Sequence, residues 1–254
     1  MVITRPLPAT TPRQPQMDRA LAMRLAATEY ERVAQLLQTL APSDWEQPTD
    51  CPAWDVRAMA AHILGMAEMA ASMRESVRQN WLAHRRGGLF IDALTALQVE
   101  KHRSRSPEEI VRRMAAIGPR AVRGRARTPG FIRGMRMPIE QPVGDTTEPW
   151  TVGYLIDTIL TRDPWMHRVD ISRAVGRPMV LTREHDGILV ADVVTEWASR
   201  HGEACTLILT GPAGGEWSFR HGSGPQVELD AVEFCRILSG RAPGTGLLSV
   251  QVPF

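Results

Sequence analysis

The sequence predicts an α+β protein, a four-helix bundle followed by a small α/β domain. Three observations carry that expectation. Apolar residues recur at helical spacing in successive stretches before Pro178. After Pro178, short runs rich in strand formers alternate with glycine-rich turns. Hydrophobic residues at 43% and charged residues at 23% are ordinary globular values, and 254 residues are enough for two modest domains. The division expected is a flexible tail over 1–16, a helical bundle over 17–178 and an α/β domain over 179–254.

The tail is rich in Pro and Thr and offers no periodicity. From Met17 to Leu40, Leu21, Leu25, Val33, Leu36, Leu37 and Leu40 define an amphipathic helix that Pro42 stops. A loop follows, SDWEQPTDCPAW, and Asp55 caps a second helix through Val56, Met59, Ala60, Ile63, Met66 and Ala70. Ser106 and Pro107 mark the start of a third helix, with Glu108 and Glu109 in its first turn, expected to end near Gly118. Arg120 to Gly144, dense in Arg, Gly and Pro, reads as loop. A fourth helical segment runs from Thr151 to Gly176. Beyond Pro178 come a helix over Ile188–Ser199, strands at CTLILT, EWSF and QVEL, a helix from Asp230 through Leu238, and a last strand at LLSVQV.

No apolar run approaches the roughly 20 residues that cross a bilayer, and the N-terminus lacks the apolar core of a secretory signal, so a cytoplasmic protein is expected. Cys51, Cys205 and Cys235 are widely spaced with no CxxC pair, which points to buried or free thiols. Lys101 is the single lysine, and the formal net charge is +2. Between Lys101 and Arg136 ten arginines and that lysine face only two glutamates. The segment lacks interleaved aromatics apart from Phe131 and matches no recognition motif, so a solvated basic face is favoured over a nucleic-acid interface.

The chemistry concentrates on two helices. Asp163 and His167 lie four residues apart, on one helix face, and His62 projects to the apolar side of its own helix between Met59 and Met66. Two imidazoles and a carboxylate form a catalytic zinc set that leaves a fourth position open. Asp170 is placed to accept the other ring N–H of His167. Spacing alone leaves blander readings open. A solitary histidine on an apolar face is more often a hydrogen-bonded core residue, Asp163 before Pro164 could cap a restarted helix, and His167 with Asp170 could be an ordinary surface pair.

The segment DWEQPTDCPAWDVRAMAAHILG, with Trp45, Pro48, Thr49, Cys51, Pro52, Trp54, Val56, Arg57 and His62, resembles the opening signature of the mycothiol-dependent maleylpyruvate isomerase family of DinB-like proteins. TRDPWMHRVDISRAVGRP resembles that family's later metal helix, and DAVEFCRILSGRAPGTGLLSVQVPF resembles its small C-terminal domain. The resemblance implies a DinB-like bundle, a divalent metal, foremost zinc, on His62, Asp163 and His167, and mycothiol as thiol cosubstrate. The family's acidic ligand is glutamate, whereas this chain offers the shorter Asp163 beside a proline.

A thiol with pKa near about 8.5 is mostly protonated at neutral pH, and coordination to a divalent metal deprotonates it. The implied partners are therefore a low-molecular-weight thiol and a small electrophile, with isomerisation or S-transfer as the reaction. Arg241, in the SGRAP loop, is the candidate clamp for a carboxylate-bearing substrate, with Arg220 as alternate. Cys51 reads as a loop thiol without a catalytic part. A non-catalytic metal-containing binding protein and an Arg-rich nucleic-acid regulator are the competing classes. The sequence does not specify an oligomeric state.

Overall fold

The computed structural model describes residues 11–254. Their contacts divide into two compact units, one of residues 18–130 and 156–179, the other of residues 11–17, 131–155 and 180–254. The grouping is not linear along the chain. Residues 131–155 fall with the C-terminal segment, where the sequence reading placed them in the bundle. The first ten residues of the expected tail lie outside the described part. Arg13 is held, its N–H donating to Pro149 O at 2.9 Å.

The first unit is helical. Asp18 caps α1 (Arg19–Gln38) by accepting from Ala20 N and Leu21 N. Asp55 does the same for α2 (Val56–Ala71), accepting from Ala58 N at 2.7 Å. Two helices follow that the sequence reading did not assign, α3 (Met73–Arg86) and α4 (Phe90–His102). Next come α5 (Pro107–Arg127) and, after a π-turn at Leu155–Ile159, α8 (Leu160–Ala174). Helices α1, α2, α5 and α8 enclose the core of Tyr30, Val33, Leu37, Met59, Ile63, Leu64, Ile110, Met114 and Ile171. The α3–α4 pair packs beside α2 around a smaller cluster of Ala83, Ala93 and Leu94.

Helix α5 runs past its expected end at Gly118 and through Pro119 to Arg127. Gly124 marks where the extension packs closely on α2. A Cβ there would come within 2.1 Å of Ala70 O, so glycine admits a close approach to α2 that outweighs its poor helix propensity. The rest of the expected loop contains the short helix α6 (Gly130–Arg133) and a hairpin of β1 (Gln141–Val143) and β2 (Thr146–Glu148) turning at Gly144, φ 57°.

These pieces belong to the second unit, with α7 (Val152–Tyr154) and α9 (Ile188–His201). Its sheet has the order β4-β3-β5. The central β3 (Cys205–Thr210) pairs antiparallel with β4 (Gly215–Phe219) and parallel with β5 (Gln226–Asp230). Alternation buries Cys205, Leu207 and Leu209 on one face. Trp197 of α9 and Phe234 of α10 (Ala231–Leu238) meet edge to face at 5.3 Å. The expected last strand is instead a 3-10 turn at Gly246–Ser249 followed by extended chain, in which Val252 N donates to Leu238 O. Arg13 and Arg200 form ion pairs with Glu148 and Glu196, and Tyr154 donates to Glu196 at 2.8 Å. No described helix is long and apolar enough to cross a membrane.

Candidate metal centre

His62 sits mid-way along α2 at an apolar-phase position, which drives its ring inward, to 4% exposure. Asp163 and His167 stand one turn apart on α8. Asp163 is not the cap of a restarted helix. Pro164 lies inside α8, and its missing N–H leaves Leu160 O without the regular α-helical donor. Arg125 of α5 fills the gap. Its Nη1 donates to Leu160 O at 3.0 Å, its Nε to Ile156 O in the π-turn at 2.6 Å, and its Nη2 to Thr161 Oγ1 at 2.6 Å. The buried guanidinium thus replaces a helical hydrogen bond and fixes the turn that carries Asp163. Burial pushes the Arg125 pKa down, while Tyr30 opposes that shift. One turn on, Arg168 donates to Glu29 of α1 through Nε and Nη2, at 2.9 and 3.0 Å, setting the rotation of α8 about its axis.

The ligand atoms of His62, Asp163 and His167 lie within 4.8 Å of one another. His62 Nε2 is 3.4 Å from Asp163 Oδ2, and His167 Nε2 is 3.4 Å from Asp163 Oδ1. The opposite nitrogens face acceptors. His167 Nδ1 is 3.1 Å from Asp170 Oδ2, and His62 Nδ1 is 2.8 Å from Gln98 Oε1. Acceptor partners place the proton on each Nδ1, so in the neutral rings both Nε2 lone pairs confront carboxylate oxygens. Asp163 Oδ2 is buried with no hydrogen-bond partner among the described residues. Acceptors converging on acceptors need a positive charge among them, and two imidazoles with one carboxylate suit a divalent metal. Burial raises the Asp163 pKa, but positive charge at the positions of His167 and His62 outweighs it and holds the carboxyl well below the usual range. With neutral rings a divalent metal would supply that charge.

Trp54, from the loop before α2, covers the pair, its ring 4.9 Å from that of His62 and 5.8 Å from that of His167. Cys51, His167 and Asp170 make a second close set. Its members Asp170 and His167 already bond each other through Nδ1, and Cys51 Sγ stands 4.0 Å from Asp170 Oδ2, on the side of His167 away from Asp163. Trp54 and Gln98 had no site role in the sequence reading. Gln98 is a polar residue on a helix that reading did not assign. Of the two clamp candidates, Arg241 lines a cavity of about 330 Å³ with Ile237, Pro243, Leu248, Ser249 and Gln251. Arg220 begins a turn after β4 in the left-handed region, φ 49°. Both belong to the second unit. In the arginine-rich segment Arg103, Arg112, Arg120, Arg123 and Arg127 are exposed, while others have partners or are buried. Arg105 and Arg113 bond Glu109, Arg136 bonds Glu140, and Arg125 is interior.

Residues 26–172 match the family model of the mycothiol maleylpyruvate isomerase N-terminal domain. A crystal structure of the mycothiol-dependent maleylpyruvate isomerase is similar at a TM-score of 0.54 and 13% identity, covering 89% of this chain and 90% of that one. A histidine-to-alanine mutant of that enzyme is similar at a TM-score of 0.54 and 12% identity over the same shares. No curated protein gives a significant sequence match.

Proposed function

The chain belongs to the mycothiol maleylpyruvate isomerase N-terminal domain family, and from that premise we propose that it is a metal-dependent enzyme that uses mycothiol, or a similar low-molecular-weight thiol, on a small electrophile. The observation that carries the proposal is the convergence of His62 Nε2, His167 Nε2 and both Asp163 oxygens, with each Nδ1 held from behind. These three residues would hold the metal, foremost zinc, which supplies the Lewis acidity that lowers the thiol pKa.

The protein's own residues have defined tasks. Asp170 and Gln98 keep the imidazoles oriented, and Trp54 packs against both rings. The thiol supplies the nucleophile. Its thiolate sulfur adds to an electron-poor double bond, and the displaced electron pair moves onto the activating group. The former double bond, now a C–C single bond, rotates, and return of the pair expels the thiolate to give the other geometric isomer. Protonation of the anionic adduct on carbon, with the sulfur retained, is S-transfer. Cys51 has no part in either outcome, and Arg241 is the proposed anchor for a substrate carboxylate.

The test is metal content together with mycothiol consumption over a panel of electrophiles. Stoichiometric metal with thiol-dependent turnover of an activated alkene supports the proposal. Tight metal binding without turnover of any electrophile would favour a binding protein. Full metal content in the His62→Ala, His167→Ala double variant would overturn the ligand assignment.

A further inference from the structure

We propose that Gln79 and Gln98 form an amide relay that fixes the tautomer of His62 and so presents its Nε2 lone pair to the metal centre. The inference rests on the metal-site reading above, and it concerns two positioning residues rather than ligands.

The polarity of the relay can be derived from its far end, where two groups can only accept. One is the carbonyl of Gly65. The other is the carboxylate of Glu75, held well below the usual carboxylate range chiefly by hydrogen bonds from Arg78, with Lys101 and Gln79 adding to the effect against the cost of burial. A single nitrogen of Gln79 reaches both, at 3.0 Å from Gly65 O and 2.9 Å from Glu75 Oε1. That end of Gln79 is therefore the NH₂, and both its hydrogens are used. Its oxygen accepts from Gln98 Nε2 at 2.9 Å. The remaining end of Gln98 is then its oxygen, which faces His62 Nδ1 at 2.8 Å. An oxygen there requires the proton on Nδ1.

Reversing either amide would set like groups against each other between buried side chains. Gln79 and Gln98 are 1% and 2% exposed. An unmade hydrogen bond there leaves a desolvated polar group unpaired, which buried amides avoid. Gly65 serves the relay twice. Besides offering its carbonyl, it lets α4 approach α2, because a Cβ at this position would lie 2.6 Å from Gln98 Cβ. A glycine three residues after His62 is thus what brings the Gln98 amide within reach of the imidazole.

The two histidines are consequently held by different chemistry. His167 is backed by a carboxylate, which pushes electron density into the ring and strengthens it as a donor. The amide behind His62 orients its ring without adding charge.

The wild-type, metal-free protein provides the first test, through long-range ¹H–¹⁵N correlation of the imidazoles. A proton on Nδ1 of His62 is expected, and a neutral His62 carrying it on Nε2 would overturn the relay. Gln98→Leu should abolish that preference and weaken Zn²⁺ affinity about 10–100-fold. Gln98→Glu keeps an acceptor at Nδ1 and should retain the Nδ1 proton of His62, at the cost of setting its second oxygen against Gln79 Oε1. Gln79→Leu, which contacts neither His62 nor the centre, should give a mixture of tautomers. A purely structural role for Gln98 would leave the tautomer spectrum of the folded variants unchanged. If His62→Ala lowers Zn²⁺ affinity while Gln98→Leu does not, the relay fails and the metal site stands. If His62→Ala leaves affinity intact, the site reading itself fails. A Gln98→Leu chain that did not fold would leave the wild-type spectrum to decide.

Discussion

Replacing Arg125 with methionine tests the idea that a residue far from the ligands in sequence fixes their geometry. Three hydrogen bonds disappear, to Ile156 O, Leu160 O and Thr161 Oγ1. Leu160 O is the critical one, since Pro164 has no N–H to offer it. An orphaned buried carbonyl costs about 1–3 kcal/mol, and hydrogen bonds to a charged donor contribute about 1.5–3 each. Against this stands relief from burying a guanidinium, which costs several kcal/mol before its partners offset it. The expected net destabilisation is about 2–4 kcal/mol, read as a lower denaturation midpoint of the metal-free protein at unchanged slope.

A double-mutant cycle isolates the mechanism. Pro164→Ala restores a backbone N–H aimed at Leu160 O. In the Arg125→Met background it should recover about 1 kcal/mol, the worth of one hydrogen bond, and in the wild type it should do much less because Arg125 is already there. Arg125→Lys should not rescue, since an ammonium lacks the planar fork that reaches two carbonyls and a hydroxyl together. Zn²⁺ affinity should fall in Arg125→Met as Asp163 loses its fixed turn. The reasoning is refuted if Arg125→Met unfolds within about 0.5 kcal/mol of wild type, or if Pro164→Ala gives the same increment in both backgrounds.

Four further outcomes are expected. His62→Ala or His167→Ala should remove most bound metal, measured by elemental analysis, while leaving helical circular dichroism intact, and Asp163→Asn should weaken binding. Glu29→Leu should destabilise by about 3–5 kcal/mol by leaving Arg168 buried opposite an apolar side chain, and adding Arg168→Met should recover much of that loss, as read by urea titration. Lys101→Met, which removes the cation between Glu68 and Glu75, should cost about 1–3 kcal/mol at neutral pH. Both carboxyls have lowered pKa values in the folded state, so their stabilisation is present above the unfolded value near about 4.3 and fades below it, and the Lys101→Met deficit should shrink on acidification. Cys51→Ser should keep most thiol-dependent turnover, and thiol-independent turnover lost in that variant would show that the protein supplies its own nucleophile.

The parts of this molecule that can be read from sequence are those in which one periodicity carries the signal. Asp163 and His167 share a face because any helix puts residues four apart together, and His62 turns inward because Met59 and Met66 flank it on the apolar side. The four bundle helices and the three-stranded sheet follow from the same kind of pattern. Helix α3 does not. Its buried residues are Gln79 and Ala83, while Met73, Val77 and Trp81 face solvent, so the apolar signal points away from the side that packs. Arg125 is hidden for a different reason. What makes it necessary is the missing N–H of Pro164, on a helix reached only after a long excursion of the chain, and pattern along α5 carries no trace of it.

Gln98 shows how such a residue could be found. Leu94, Gln98 and His102 fall at successive i+4 positions of α4, and all three are buried. Read by hydropathy, the stripe fails after Leu94 and the helix looks featureless. Read by hydrogen-bonding capacity, two polar side chains on an otherwise inward phase demand partners inside the fold, because each would cost more unpaired than a methylene gains there. His102 meets Glu68, and Gln98 meets Gln79 and His62. A polar residue in apolar phase is therefore a statement about a neighbour, and here the neighbour is a histidine of the proposed metal centre.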